Sequence, residues 1–414
     1  MKKQNANIQG LRRLAVVLTA SAMAVSSPMT AFAAAKNSPN DQSYQPPEAP
    51  APDYKKDISP EFAYTQDKWA ALKDNVMEYG ELADLIHEYN PTVRSNRYTY
   101  NDQKNQDLTD VYDELMDDAR DAWDAAGEFD TDTYMGRLSS AQMDFSGNSL
   151  AKLADNNYMD SEMYKIQYDQ TEANLVFQAQ QLMVTYEQSG YTMKNLEANR
   201  SLAQANYEAV QAQQSVGMAT EVNVLTAQKS VQDIDTSILS TQKSIDNVHR
   251  NLCLMLGWSA DAQPDIRPVP QADLDRIAVL DPAADKEEAL ANNYDIKYYQ
   301  KKLENVSTNE LRSATQASID DARNTVENNL KVQYNAILDA RDALEAANIK
   351  LQLETVNMNT VNAKAATGNA SQLEVISQQT AFTTARNAVE TSKLSLLLAM
   401  EKYDWIKKGL TFQS

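Results

Sequence analysis

The sequence is poor in the residues that most metal and covalent chemistry requires. It has one cysteine, Cys253, so no intrachain disulfide can form. Cys253 sits in an apolar helical stretch, where a thiol packs as a small hydrophobe. The two histidines, His87 and His249, lie far apart with no ligand cluster around either, which reads as packing or surface rather than metal binding. There is no Gly-rich phosphate loop, no nucleophile elbow and no Cys-His pair at a local motif spacing. The expectation is therefore no enzyme, no cofactor and no metal. Basic residues are also scarce, 38 Lys and Arg against 58 Asp and Glu, for a formal charge of −20. Phosphate backbones are bound by clustered Lys and Arg, so nucleic acid is excluded as a partner. Such a charge serves solubility.

Long apolar runs are missing as well. The only compact one, Leu14 to Val25, follows Lys2, Lys3, Arg12 and Arg13 and precedes Ala31-Phe32-Ala33. It is too short to span a bilayer, and its flanks fit a secretory signal with a small-x-small cleavage site. Residues 1–33 are read as that signal, with the Arg12-Arg13 pair leaving a twin-arginine route open. No cysteine follows the apolar core, which argues against a lipid anchor. No later segment is apolar over ~20 residues, so no bilayer-spanning segment is expected in the mature chain.

Proline is absent from Thr92 to Gln263 and again from Ala283 to the end. Proline removes a helix hydrogen bond and clashes with the preceding turn, so its absence permits very long helices. The prolines gather elsewhere. Residues 34–63 hold Pro39, Pro46, Pro47, Pro50, Pro52 and Pro60, the composition of an extended disordered linker. Pro264, Pro268, Pro270 and Pro282 mark a link at 264–282 between two helical repeats, 64–263 and 283–414.

What is present is a sevenfold grid. Val224, Val231, Ile238, Ile245 and Leu252 recur every seven residues, with Ala227, Ile234, Thr241, Val248 and Met255 three places later. This is the seam of a coiled coil. A shift of 151 residues carries the first set onto Val375, Phe382, Val389, Leu396 and Tyr403, and Gly217 onto Gly368. Internal duplication accounts for a grid kept in phase over that offset. Upstream of each glycine a second grid runs, through Leu175, Leu182, Ser189, Leu196, Ala203 and Val210 in one repeat. In the other it runs through Leu330, Ile337, Leu344, Leu351 and Met358. Each repeat thus reads as helix, glycine turn, helix. Glycine takes the left-handed conformation that ends a helix, and Thr220 and Ser371 follow as N-caps. The fold class is all-α: two tandem repeats of long coiled-coil hairpins with both glycine turns at one end. Apolar and alanine-rich faces left uncovered on one chain predict closure with further copies into a ring or α-helical tube.

These residues carry a resemblance. Val216-Gly217-Met218-Ala219-Thr220, followed by Val222, Val224-Leu225 and Ala227-Gln228, resembles the tip motif of the TolC-type outer-membrane efflux proteins. Thr367-Gly368-Asn369-Ala370-Ser371, followed by Leu373, Val375-Ile376 and Gln378-Gln379, is similar to its second copy. Leu85 to Pro91 and Ala289 to Ile296 resemble the family's repeat starts, and Leu252 to Leu256 with Gly257-Trp258 its close of the first repeat. The resemblance implies a homotrimer of twelve long helices in the cell envelope. It also implies an adaptor protein met by these ten tip residues, and an ABC or similar exporter behind the adaptor. It marks Glu374, six residues after Gly368, as a pore constriction, although capping-box spacing from Ser371 explains that residue equally well.

The chain departs from the family where membrane strands belong. Only 75 residues separate Asn293 from Gly368, and almost all read as helix, with a turn at Asn305 to Thr308 and a capping box at Ser307 and Glu310. Two membrane strands need ~10 alternating residues each, plus turns. The first repeat is longer, but part of its excess, Asp107 to Asp132, holds eleven acidic residues and one basic. That part reads as an amphipathic helix with a solvated acidic face, or as an attractor of cations. Asp130-Thr131-Asp132 lacks the glycine and distal glutamate of a calcium loop. Only Tyr134 to Phe145 faintly suggests a strand. The leading function is an envelope efflux component without its membrane β-barrel. The alternatives are a barrel-less extracytoplasmic scaffold or spacer, and an extracellular coiled-coil binding protein.

Overall fold

The computed structural model describes residues 64–104 and 106–412. The expected signal at 1–33 and linker at 34–63 lie outside them. The chain order is α1 (Gln66–Ala71), β1 (Val76–Met77), a 3-10 turn (Tyr79–Glu81), α2 (Leu82–Tyr89), α3 (Pro91–Gln103), α4 (Leu108–Gly127) and α5 (Tyr134–Asn156). Then come α6 (Ser161–Ser215), α7 (Glu221–Met255), β2 (Asp265–Ile266), a 3-10 turn (Leu274–Val279), α8 (Pro282–Asn292), α9 (Tyr294–Asn305), α10 (Asn309–Ala366) and α11 (Gln372–Lys407). The described chain divides into two compact units. One holds residues 97–166 and 298–316, and the other holds 64–96, 167–297 and 317–412.

The second unit contains the hairpins. Every grid position named above on α6, α7, α10 and α11 is buried or half-buried. The four long helices end alike. At Gly217 and Gly368 φ is +76° and +72°, and at Gly257 and Gly409 it is +86° and +116°. Around Gly217, Met218 N–H donates to Gln213 O at 2.8 Å and Gly217 N–H to Gln214 O at 2.9 Å, and the same pair of bonds recurs at the other three glycines. This double closure satisfies carbonyls that a helix end leaves open.

Side-chain bonds give the packing order. The Arg200 guanidinium pairs α6 with Asp235 of α7. Between α6 and α11, Trp405 Nε1 donates to Gln180 Oε1 at 2.7 Å, Gln188 Nε2 to Ser395 Oγ at 3.1 Å, Asn387 Nδ2 to Asn195 Oδ1 at 2.7 Å and Thr380 Oγ1 to Ala198 O at 3.2 Å. Numbers rise on one helix as they fall on the other, so the pair is antiparallel and Gly217 and Gly368 lie at one end of this unit. Gln333 Nε2 to Ala399 O and Gln378 Nε2 to Glu354 Oε2 join α10 to α11 in the same sense. The order is therefore α7, α6, α11, α10. One apolar core joins α2, α6, α7 and the C-terminal half of α11; a second joins α10 to the same half of α11 and includes Leu330, Ile337, Leu396 and Tyr403.

The opposite end of each hairpin is sealed by an asparagine. Asn90 caps α3 through Oδ1, to Thr92 N at 2.9 Å, and its Nδ2 donates to Met255 O at 2.8 Å. Asn293 caps α9 the same way, to Ile296 N at 3.0 Å, and donates to Gly409 O at 3.1 Å. The start of each repeat is thus tied to its own last helix. Residues 264–282 are folded too. β2 pairs in parallel with β1, Val269 N–H donates to Glu187 Oε2 at 2.8 Å, and Arg276 grips Asp404 at 2.8 Å.

In the first unit α4 and α5 pack on each other. Asp107 caps α4 in a complete capping box with Asp110, and Thr133 caps α5. Trp123 lies so close to Gly147 that an added Cβ there would sit 2.5 Å from the indole. Lys301 of α9 draws together Asp160, Glu162 and Glu304, while Asn305 Nδ2 donates to Asp160 Oδ2 at 2.8 Å. Two expectations are corrected. Tyr134 to Phe145 is helical, because Thr133 offers a cap and the following residues keep helical spacing. The cap of α10 is Thr308, whose Oγ1 accepts from Leu311 N at 3.3 Å, not Ser307. Among the described residues the strands are two residues long, far short of the ~10 that cross a bilayer. No helix among them is long and apolar enough to do so.

Candidate functional site

The glycine turns are the candidate site. In the first, Thr220 is a full capping box with Asn223: its Oγ1 accepts from Asn223 N, and its own N–H donates to Asn223 Oδ1 at 2.9 Å. Gly217 leaves the turn open, with nothing within 4 Å of an added Cβ. Val216, Met218, Val222 and Leu225 surround it and are 69%, 77%, 70% and 56% exposed. Ala219 completes the turn.

The second turn has the same backbone and different chemistry. Ser371 accepts from Glu374 N at 3.1 Å, but the Glu374 carboxylate does not return the bond. It reaches instead across the turn to Lys364 at 3.5 Å. Asn369 Nδ2 donates to Thr367 Oγ1 at 2.9 Å, and that hydroxyl donates to Lys364 O at 2.9 Å. Leu373 and Ile376, the counterparts of Val222 and Leu225, are half-buried, and Ala370 is half-buried with them. Glu374 is thus half-exposed and ion-paired within its own hairpin. Beside this tip the surface of α10 carries only a shallow depression, lined by Val356, Asn359, Thr360, Ala363, Lys364 and Thr367.

Large apolar side chains are also exposed along the first and last helices of the packing order. On α7 they are Val222, Leu225 and Leu239; on α10 they are Val332, Ile349, Leu353 and Val356. Ile349, Leu353, Val356, Thr360, Ala363 and Thr367 keep alternating spacings of four and three, a second seam on α10 beside the buried one. Sequence reasoning missed this stripe because the inner grid accounted for α10 by itself. The spacing was the available signal.

Other candidates resolve as structure. His87 is buried, with Nδ1 2.8 Å from Glu172 Oε1. Burial pushes the Cys253 thiol up to about 11, which leaves it protonated and unreactive at neutral pH. On α4, burial and the neighbouring Glu114, Asp121 and Asp117 raise the Asp118 carboxyl above its usual range. Asp130 Oδ1 accepts from Asp132 N at 3.0 Å in a plain turn. Among the described residues no group of three or more His, Cys, Asp or Glu is placed to hold a metal ion.

No family model and no curated protein matches the sequence. Solved structures do match. A membrane protein from Pseudomonas aeruginosa superposes with a TM-score of 0.52 at 11% identity, over 80% of this chain and 93% of its own. The outer-membrane channel OprN superposes with a TM-score of 0.53 at 11% identity, over 80% of this chain and 90% of its own. The chain has the fold of the TolC-type outer-membrane efflux channels. At this identity the likeness is one of fold. Within the TolC-type fold, α6–α7 and α10–α11 are the two hairpins, and Gly217 and Gly368 are their turns.

Proposed function

We propose that the protein is an envelope efflux component: three copies close side by side into a helical conduit, whose glycine tips meet an adaptor protein that passes cargo from an ABC or similar exporter. The observation that carries this reading is the pair of exposed apolar stripes on α7 and α10, which begin and end the packing order of one chain. Counted from the glycine turns, Leu225 and Leu239 lie eight and 22 residues along α7, and Val356 and Ile349 lie 12 and 19 along α10. A copy placed beside another brings the two stripes to one level, and burying them removes apolar area from water on both sides. In that assembly Val216, Gly217, Met218, Ala219 and Thr220 with Thr367, Gly368, Asn369, Ala370 and Ser371 form the adaptor end. Three copies of Glu374 supply the constriction. Sedimentation of the mature chain tests the reading. A trimer is expected, and a concentration-independent monomer overturns it.

The two-residue strands favour a second reading, a barrel-less scaffold in the cell envelope. Planar-bilayer recordings discriminate. Stable conductance from the purified mature chain would return a membrane pore to the molecule, whereas its absence with an intact trimer leaves the conduit outside the bilayer.

A further inference from the structure

We propose that the two tips are not equivalent: the first is the docking surface, and its occupant is an uncharged, apolar turn of a different polypeptide. This rests on the conduit reading above and narrows it. Duplication supplies an internal control, because each residue of the first tip has a counterpart 151 positions later. Val216 becomes Thr367 and Met218 becomes Asn369, while Val222 and Leu225 become Leu373 and Ile376. On the single chain four large apolar side chains therefore stand more than half exposed near Gly217, Leu225 as part of the lateral α7 stripe and Val216, Met218 and Val222 closer to the turn, and none of their counterparts is an exposed large hydrophobe. The second tip also satisfies itself, through Asn369 to Thr367 and Lys364 to Glu374. An exposed apolar cluster of this kind marks an interaction site; a self-bonded polar turn offers a partner little.

The position of the cluster selects the occupant. Val216 and Met218 flank the left-handed glycine at the very turn, so a copy packed alongside through α7 and α10 leaves them uncovered. Only a surface arriving end-on reaches them. A second copy is a poor candidate. Glu221, exposed and without an ion pair, stands among these residues, where the second tip has Gln372. End-to-end contact of two copies would set like carboxylates together between chains of net charge −20 each. A foreign turn carrying Leu or Val and no acid meets no such opposition.

The test uses the mature full-length protein and two synthetic antiparallel helical hairpins as probes, one with a Leu-Val turn and one with an Asp-Asp turn, titrated by calorimetry. Wild type is expected to bind the apolar turn and not the acidic one. Val216→Thr with Met218→Asn, which rewrites the first tip as the second, should weaken binding at least tenfold with circular dichroism unchanged. Thr367→Val with Asn369→Met, added to that variant, should restore it. The inference is overturned if the first pair leaves binding intact, if wild type binds neither probe, or if Glu221→Gln alone produces end-to-end dimers that bury the cluster. Sedimentation of the same samples separates the two levels. A trimer that persists in the Val216→Thr, Met218→Asn variant leaves the conduit reading standing whatever the tip result, and a wild-type monomer removes it.

Discussion

Helices α7 and α11 carry one seven-residue grid, yet they live in different surroundings. On α7 the grid positions are buried or half-buried, and the residues between them, such as Leu225 and Leu239, are exposed. On α11 the same grid is flanked by Thr380, Ala385, Asn387, Leu394 and Leu397, all buried, because α6 covers one side and α10 the other. A duplicated pattern fixes the seam within each hairpin. Which further faces are covered depends on where a helix falls in the packing order. The α7 surface keeps apolar residues without cover on the single chain, and the α11 surface recruits polar ones that bond across to α6.

The sharpest way to break this comparison is at the core. Leu396→Ala on α11, fully buried, should cost ~3 kcal/mol, from lost transfer energy plus a cavity. Its counterpart Ile245→Ala on half-buried α7 should cost about half as much, since fewer neighbours lose contacts. Urea midpoints measured on both variants check the ratio, and equal losses would mean that α7 is covered after all.

The glycines give the next effect. At Gly257 and Gly409 an added Cβ would lie 2.4 Å from Tyr89 Cβ and from Asn292 O, on top of the positive φ. At Gly217 and Gly368 the space is open and only the dihedral strain remains, ~1 kcal/mol. Alanine at the first pair should therefore lower the thermal midpoint well beyond alanine at the tips. Asn387→Ala comes next at ~1–2 kcal/mol, because it strips the partner from Asn195 inside the α6–α11 contact. Replacing both asparagines by leucine should recover most of that loss, a result read from the double-mutant cycle.

The smallest effect is electrostatic. Burial, with Asp404 nearby, raises the Glu401 carboxyl above its usual range. The folded chain then holds that proton more tightly than the unfolded one, so this group costs stability at neutral pH, and the cost fades as pH falls through the folded value. Glu401→Gln should raise the melting temperature slightly at pH 7, and the gain should close towards about pH 4. Gln180 Nε2, which donates to Glu401 at 3.2 Å, keeps an acceptor in the variant.

Most of the hairpin fold was legible because its signals are local or periodic. The grids, the glycines at φ > 0 and the Thr220 and Ser371 caps each act over a few residues. The repeat starts were recognised as motifs, but the bonds that explain them were not. Asn90 to Met255 and Asn293 to Gly409 span more than a hundred residues, and no periodicity encodes such a pairing. Gly409 matches Gly257 at an offset of 152 rather than 151, and Leu410 stands where Trp258 does, so the sequence marks the second closing turn only weakly. The difference between the tips was present in plain view as Val216 against Thr367. Its meaning needed the exposures, since shared motif residues had made the two turns look interchangeable.

The two-residue parallel pairing of β1 with β2 has a consequence for how the molecule forms. Asp265 N–H reaches Asn75 O at 2.8 Å, Arg267 N–H reaches Met77 O at 3.0 Å, and Asn75 Nδ2 reaches Gln263 O at 3.1 Å, a separation of 188 residues for the last. The helices between those points form from neighbours on a microsecond scale, while the stitch must wait until a loop of that length has found its ends. Stopped-flow refolding should therefore show helicity recovering ahead of the burial of Trp69, which packs against the core that contains Leu72 and Met77. Val76→Pro should slow that second phase and leave the first untouched.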